Sequence, residues 1–197
     1  MTTPSSGVDE RFTATLELAE RIRDILRAHH VDAVVIGAMA LAVHNYPRET
    51  EDVDLAIAVP PTELSTLADA FRDEGWQVEL RTPDASDPLG GVIDVQAPGA
   101  DLVQLVNFDN SPAGGFPRLV REAVATSLPL STTDLRVVDL ANLIAFKLYA
   151  GGAKSKLDVL ELLERNQPLD MRSLRERCRA LGLGKELERV LALAQEP

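Results

Sequence analysis

A single cysteine, Cys178, is all the thiol this chain has, so no internal disulfide can form and a reducing, cytoplasmic setting is the expectation. Cys178 falls in a helical stretch, where packing is the expected role. Long apolar runs are also missing. The longest, Leu140 to Ala150, is broken by Asn142 and Lys147, which excludes a membrane-spanning segment. The stretch Met1 to Gly7 is small and polar and lacks the cationic-then-apolar pattern of a secretion signal. Positive charge is in short supply: 20 Lys and Arg face 31 Asp and Glu, a net charge of −11. Proteins that grip nucleic acid through phosphates carry basic surface, so a general nucleic-acid binder is not expected, although a local patch could still meet RNA. No internal repeat or low-complexity tract is present.

What remains is an ordinary globular composition, 45% hydrophobic over 197 residues, enough for one domain or one domain with a small helical appendage. Residues 1–8 read as a disordered leader. Phe12, Leu16, Ala19, Ile22 and Leu26 recur at helical spacing over 10–30. A strand over 32–36 runs through Gly37 into a helix over 38–45, and a second strand over 53–59 stops at Pro60-Pro61. Thr62 caps a helix ended by Gly75, alternation gives a strand over 76–80, and 82–88 is a polar loop. Strands over 91–96 and 102–108 flank the turn Ala97-Pro98-Gly99-Ala100. Residues 108–115 read as loop, 117–126 as helix and 135–138 as a short strand. Asp139 and Asp170 cap helices over 140–149 and 171–181, with others over 155–165 and from Gly184 to about Ala194. The expected division is an α/β core over 9–131 and a helical region over 132–197 packed on it.

The chemistry concentrates between Val34 and Leu55. Side chains alternate along a strand, so Asp52 and Asp54 share one face while Val53 and Leu55 take the other. Two carboxylates so close repel unless solvent or a divalent cation offsets the charge. Oxygen ligands of this kind suit Mg²⁺, which usually takes one or two protein carboxylates and fills its shell with phosphates and water. Asp-x-Asp can equally be a solvated strand edge.

The order apolar-Gly, spacer, apolar-Asp-x-Asp-apolar resembles the signature of the nucleotidyltransferase superfamily typified by DNA polymerase beta. Arg48-Glu49-Thr50-Glu51-Asp52-Val53-Asp54-Leu55 resembles its AbiEii/MenT-like branch of minimal nucleotidyltransferases. One departure is Ala38, where the family usually has Gly or Ser. The resemblance, which covers about residues 32–165, implies an α+β nucleotidyltransferase fold: a mixed twisted sheet flanked by helices, followed by a C-terminal helical bundle. It implies Asp52 and Asp54 as catalytic metal ligands for Mg²⁺. It places the triphosphate of an NTP at Gly37 and Ala38, with Arg48 and Thr50 shaping the loop, though Gly37 could as well serve packing alone.

A second block, Ile144 to Gly152 followed by Lys154-Ser155-Lys156-Leu157-Asp158, resembles the Lys-Leu-x-Ala…Lys-x-x-Asp element of the same proteins. Lys147 is the one charge between Leu140 and Ala150; either its stem snorkels to water or it reaches the triphosphate or the Asp52/Asp54 pair. Asp158 would hold Lys147 or bind the second substrate, and the Gly151-Gly152 pair lets the chain reverse between the two helices.

The family also uses a third carboxylate from a neighbouring strand. Asp94 has the apolar-Asp-apolar texture, but aligning Asp87 to Ile93 with the family's Asp-Pro-Leu-x-Gly-Val-Ile puts the position on Gln104, the favoured register, and glutamine cannot accept a proton. Two functions follow. One is a Mg²⁺-dependent transfer of NMP from an NTP to a hydroxyl of a tRNA 3′ end or a protein, in a toxin–antitoxin pair with a cognate partner. The other is a catalytically reduced module that binds nucleotide or a protein partner, favoured by Gln104, Ala38 and the acidic composition. An α/β scaffold without nucleotide ranks below both.

Overall fold

In the computed structural model, residues 6–83, 89–111, 114–131 and 133–193 are described. Helix α1 (Ser6–Ala28) lays Leu18, Ala19, Ile22 and Leu26 on its buried stripe. It begins inside the stretch expected to be a leader, since each residue added to an existing helix gains a backbone hydrogen bond. Strand β1 (Val34–Ile36) leads into α2 (Gly37–Val43) and β2 (Val53–Ile57). A 3₁₀ turn at Pro61–Glu63 opens α3 (Leu64–Asp73), so the helix starts two residues beyond the cap expected at Thr62. Strands β3 (Gln77–Arg81), β4 (Val92–Gln96) and β5 (Val103–Asn107) follow. The segment expected as loop after β5 instead forms a small hairpin, β6 (Asp109–Asn110) and β7 (Gly114–Gly115). Then come α4 (Pro117–Ala125), β8 (Leu128–Pro129), β9 (Arg136–Val137), α5 (Leu140–Ala150), α6 (Gly152–Arg165), α7 (Met171–Ala180) and α8 (Gly184–Leu193). Most of the polar loop expected over 82–88 lies outside the described residues, as do residues 1–5 and Ala194.

The fold class is α+β. Seven strands form one mixed sheet in the order β3-β4-β5-β2-β1-β9-β8. β2 lies between antiparallel β1 and parallel β5 and is buried along its length except at half-buried Asp54. Its alternation sorts the two faces. Leu55 points to the side covered by Arg23 of α1 and Val124 of α4, whereas Asp54 shares the other side with Phe146 and Lys147 of α5.

Helix α5 ties the helical third to the sheet. Leu143, Ile144 and Ala145 are fully buried and belong to the same core as the strands. Asp139 caps it, Oδ1 accepting from the Asn142 amide at 2.8 Å, and Asp170 does the same for α7 with the amides of Arg172 and Ser173. Each such cap contributes about 1 kcal/mol. Phe108 at the end of β5 meets Phe146 at 4.8 Å between ring centroids and Tyr149 at 6.0 Å, joining the sheet to α5 through aromatic edges.

Fully buried Asn107 closes the β5 end. Its Oδ1 accepts from the Val59 amide at 3.0 Å, while Nδ2 donates to the carbonyls of Val59 (2.9 Å) and Gly90 (3.2 Å). The backbone groups left unpaired where β2 and β5 end are thereby satisfied.

Candidate active site

The site starts from a register. Ile36, the last residue of β1, pairs with Asp54 of β2, so the residue after Ile36 sits beside the Asp54 side chain. That residue is Gly37, at φ +67°, and a β-carbon there would fall 1.8 Å from Asp54 Oδ2. Glycine is therefore required twice, for the left-handed backbone and for the approach of the carboxylate. Ala38 follows as the second residue of α2, half-buried.

Asp52 precedes β2 by one residue and is exposed, with its backbone pinned by Thr50: the Asp52 amide donates to Thr50 Oγ1, which donates to the Asp52 carbonyl. Burial pushes the Asp54 carboxyl above the usual carboxylate range, and the Asp52 charge adds to the rise, with Asp94 contributing less; Lys147 and Lys154 pull it back. Among the described residues no group of three or more His, Cys, Asp or Glu side chains could hold a metal by itself. A pair of carboxylates suits an ion that completes its shell with phosphate and water, as Mg²⁺ does.

Gly151 (φ +65°) and Gly152 (φ +75°) turn the chain between α5 and α6. Lys147 Nζ then donates to Asp158 Oδ2 at 2.7 Å. Arg48, from the loop before β2, donates through Nη1 to Asp158 Oδ1 at 2.9 Å. Asp158 is buried, its side chain 3% exposed, with an ion pair on each oxygen. It holds two cations, and Arg48 is engaged there.

Between Asp54 and Gly37 on one side and Lys147 on the other lies a cavity of about 300 Å³. Apart from Ser155, its remaining wall is apolar and aromatic, with Val106, Phe108, Phe146 and Tyr149. A larger groove of about 630 Å³ opens at Val59 and Pro60, beyond the other end of β2. It contains neither aspartate of the pair.

The strand pairing also orders Gln104 and Asp94 about Asp54. Asp54 pairs with Gln104 on β5, and Gln104 pairs with Asp94 on β4. Gln104 is therefore the lateral neighbour of Asp54, and Asp94 stands one strand farther out. Gln104 Nε2 donates to Asp94 Oδ1 at 2.8 Å, and Arg81 Nη2 donates to both Asp94 oxygens at 3.0 and 2.7 Å. Arg81 and the aromatic wall carry no signal in the sequence, and Lys154 stands there only as part of the second block, without a role. Arg81 faces Asp94 across the β3–β4 pairing, 13 residues away, and no local pattern marks it.

No protein-family description and no curated protein matches the chain. Among solved structures, it is similar to an antigenic nucleotidyltransferase-like protein of Paracoccidioides brasiliensis at 18% identity, covering 93% of each chain with a TM-score of 0.46. It is similar to the antibiotic-resistance factor ANT(2'')-Ia, seen with adenylyl-2''-tobramycin, at 16% identity over 92% of this chain and 98% of that one, TM-score 0.45. Terminal uridylyl transferase 4 of Trypanosoma brucei with bound GTP aligns at 20% identity over 54% of this chain, TM-score 0.37; the chain spans only 38% of that enzyme's length.

Proposed function

We propose that the protein is a nucleotidyltransferase that moves an NMP from an NTP to a hydroxyl acceptor with Mg²⁺. One juxtaposition carries the reading: Asp54 seated on Gly37, with Lys147 across the same 300 Å³ cavity. Carboxylates for a cation and an ammonium for phosphate charge are groups that a triphosphate requires. The motif resemblance at Arg48 to Leu55 points the same way.

In this reading Asp52 and Asp54 hold Mg²⁺, which would neutralise phosphate charge and steady the attacking and leaving oxygens at the α-phosphorus. Lys147 faces the β- and γ-phosphates, oriented by Asp158. The acceptor hydroxyl forms the new P–O bond as the bond to pyrophosphate breaks. Gln104 cannot take the hydroxyl proton, so the proton passes to water or to a phosphate oxygen of the nucleotide itself. Positioning and charge neutralisation supply most of the rate.

For the acceptor, a tRNA 3′ end or a protein hydroxyl remains the reading, with a place in a toxin–antitoxin pair. Gln104 beside Asp54 favours a second reading, a module that binds nucleotide without turnover. Transfer of labelled NTPs to total tRNA and to protein separates the two. Calorimetry with MgATP and MgCTP tests both: wild type binds and Asp52→Ala does not, and unchanged affinity in Asp52→Ala refutes the metal assignment.

A further inference from the structure

Between α2 and β2 the chain runs as a strap, residues 44–52, that is neither helix nor strand. Its contacts follow α6 from the C-terminal end upward. Asn166, the residue that closes α6, donates through Nδ2 to the His44 carbonyl at 2.9 Å and to the Leu162 carbonyl at 2.8 Å. Its Oδ1 accepts from Asn45 Nδ2 at 2.9 Å. The Arg165 guanidinium lies over the Tyr46 ring, 5.1 Å from the centroid. Nearer the N-terminal end of the helix, Asp158 takes Arg48. Positions 158, 162, 165 and 166 lie on one side of a helix, so the strap tracks a single stripe of α6.

No backbone ladder holds such a segment, so these side-chain contacts set its place. Asn45 sits at φ +61°, a left-handed backbone that asparagine tolerates better than most residues. Buried His44 donates through Nε2 to the Val138 carbonyl at 2.8 Å, which ties the start of the strap to the residue ahead of the Asp139 cap. At the far end Thr50 grips the backbone of Asp52. The Asp52 carboxylate thus hangs from a segment placed by α6, and the same helix carries Asp158, which holds Lys147.

We propose, on the reading in which Asp52 and Asp54 hold Mg²⁺, that Asn166 is a positioning residue for the cation. It fixes the strap from outside the cavity and, through the strap, the place of Asp52. Groups that orient a metal ligand from behind change affinity about 10–100-fold when removed. Asn166 is not among the residues lining the cavity, so its effect on the cation is indirect.

The test is calorimetric titration of the whole chain with Mg²⁺ in the presence of a non-hydrolysable ATP or CTP analogue. Wild type is expected to bind, and Asn166→Ala to bind about tenfold more weakly. Raising Mg²⁺ should bring the variant to full occupancy, as a displaced ligand allows and a lost fold does not. Asn45→Gly keeps the left-handed turn at an exposed position and removes the contact to Asn166. It should weaken binding in the same direction, and it decides the matter if Asn166→Ala does not fold. Asp170→Ala, which costs α7 its cap and leaves the strap alone, should bind Mg²⁺ as wild type does. Unchanged affinity in a folded Asn166→Ala, or in Asn45→Gly, overturns the proposal. So does an equal loss in Asp170→Ala, which would trace the effect to general destabilisation. Absence of Mg²⁺ binding in wild type overturns the metal assignment itself, and the positioning role with it.

Discussion

Asp54 Oδ2 lies where the β-carbon of any residue other than glycine at position 37 would have to be, 1.8 Å from that ideal position. The strand that carries the acid and the turn that faces it are therefore fitted to each other. Gly37→Ala should destabilise the fold by about 2–4 kcal/mol, combining a left-handed alanine with the displaced carboxylate. Urea denaturation of Gly37→Ala, Asp54→Gly and the double variant checks this. The double variant should recover the steric share, and simple additivity would refute the contact.

Asp54 should also be a stability defect that function retains. Its folded pKa lies above the ordinary 3.8, through burial first and Asp52 second. The charged form is thus disfavoured in the fold: the carboxyl does no harm below the ordinary carboxylate range, and stability is lost as pH rises through the shifted value. Asp54→Asn should therefore be more stable than wild type near neutral pH without Mg²⁺, with the two curves converging below about pH 4. Thermal melts across that range decide it, and a constant difference at every pH would count against the titration.

Asp158 is the reverse case. Buried between Lys147 and Arg48, it should be expensive to remove, because Asp158→Ala strands two cations in a partly buried site. A loss of about 3–5 kcal/mol is expected. A double-mutant cycle with Lys147→Met should return a coupling above about 1 kcal/mol, and a value near zero would mean that the pair is only a crossing of two solvated groups.

Asn107→Ala should cost about 2–4 kcal/mol, since it leaves the Val59 amide and the Val59 and Gly90 carbonyls without their partner. Amide exchange at Val59 should accelerate in that variant, while exchange in α7 and α8 should stay as in wild type.

Cys178 should be chemically silent in the folded protein. Burial pushes its thiol up to about 11, and it is fully enclosed. Reaction with a disulfide reagent near pH 8 should run at least about a hundredfold slower than for a free thiol and become fast only on unfolding.

Much of this architecture could be read from local signals. Gly37 between an apolar strand and a helix and the Asp139 and Asp170 caps each depend on residues within a few positions of one another. So does the Gly151-Gly152 reversal. What escaped depends on distant partners. Arg48 meets Asp158 from 110 residues away, and Asn107 reaches back 48 residues to Val59. The β6–β7 hairpin and β8 are two-residue elements whose pairing is set by tertiary contacts, too short for any periodicity to register. Spacing alone could not say which of Asp94 and Gln104 neighbours Asp54; the parallel pairing of β2 with β5 puts Gln104 there.

Helix α5 has no solvated back to speak of, with Leu143, Ile144 and Ala145 all enclosed and Phe146 wedged against Phe108. Cutting the chain ahead of it would expose a greasy seam along the sheet and take away the ammonium opposite Asp54. The helical third is thus no detachable tail, and neither portion should be transplantable onto another scaffold without the other.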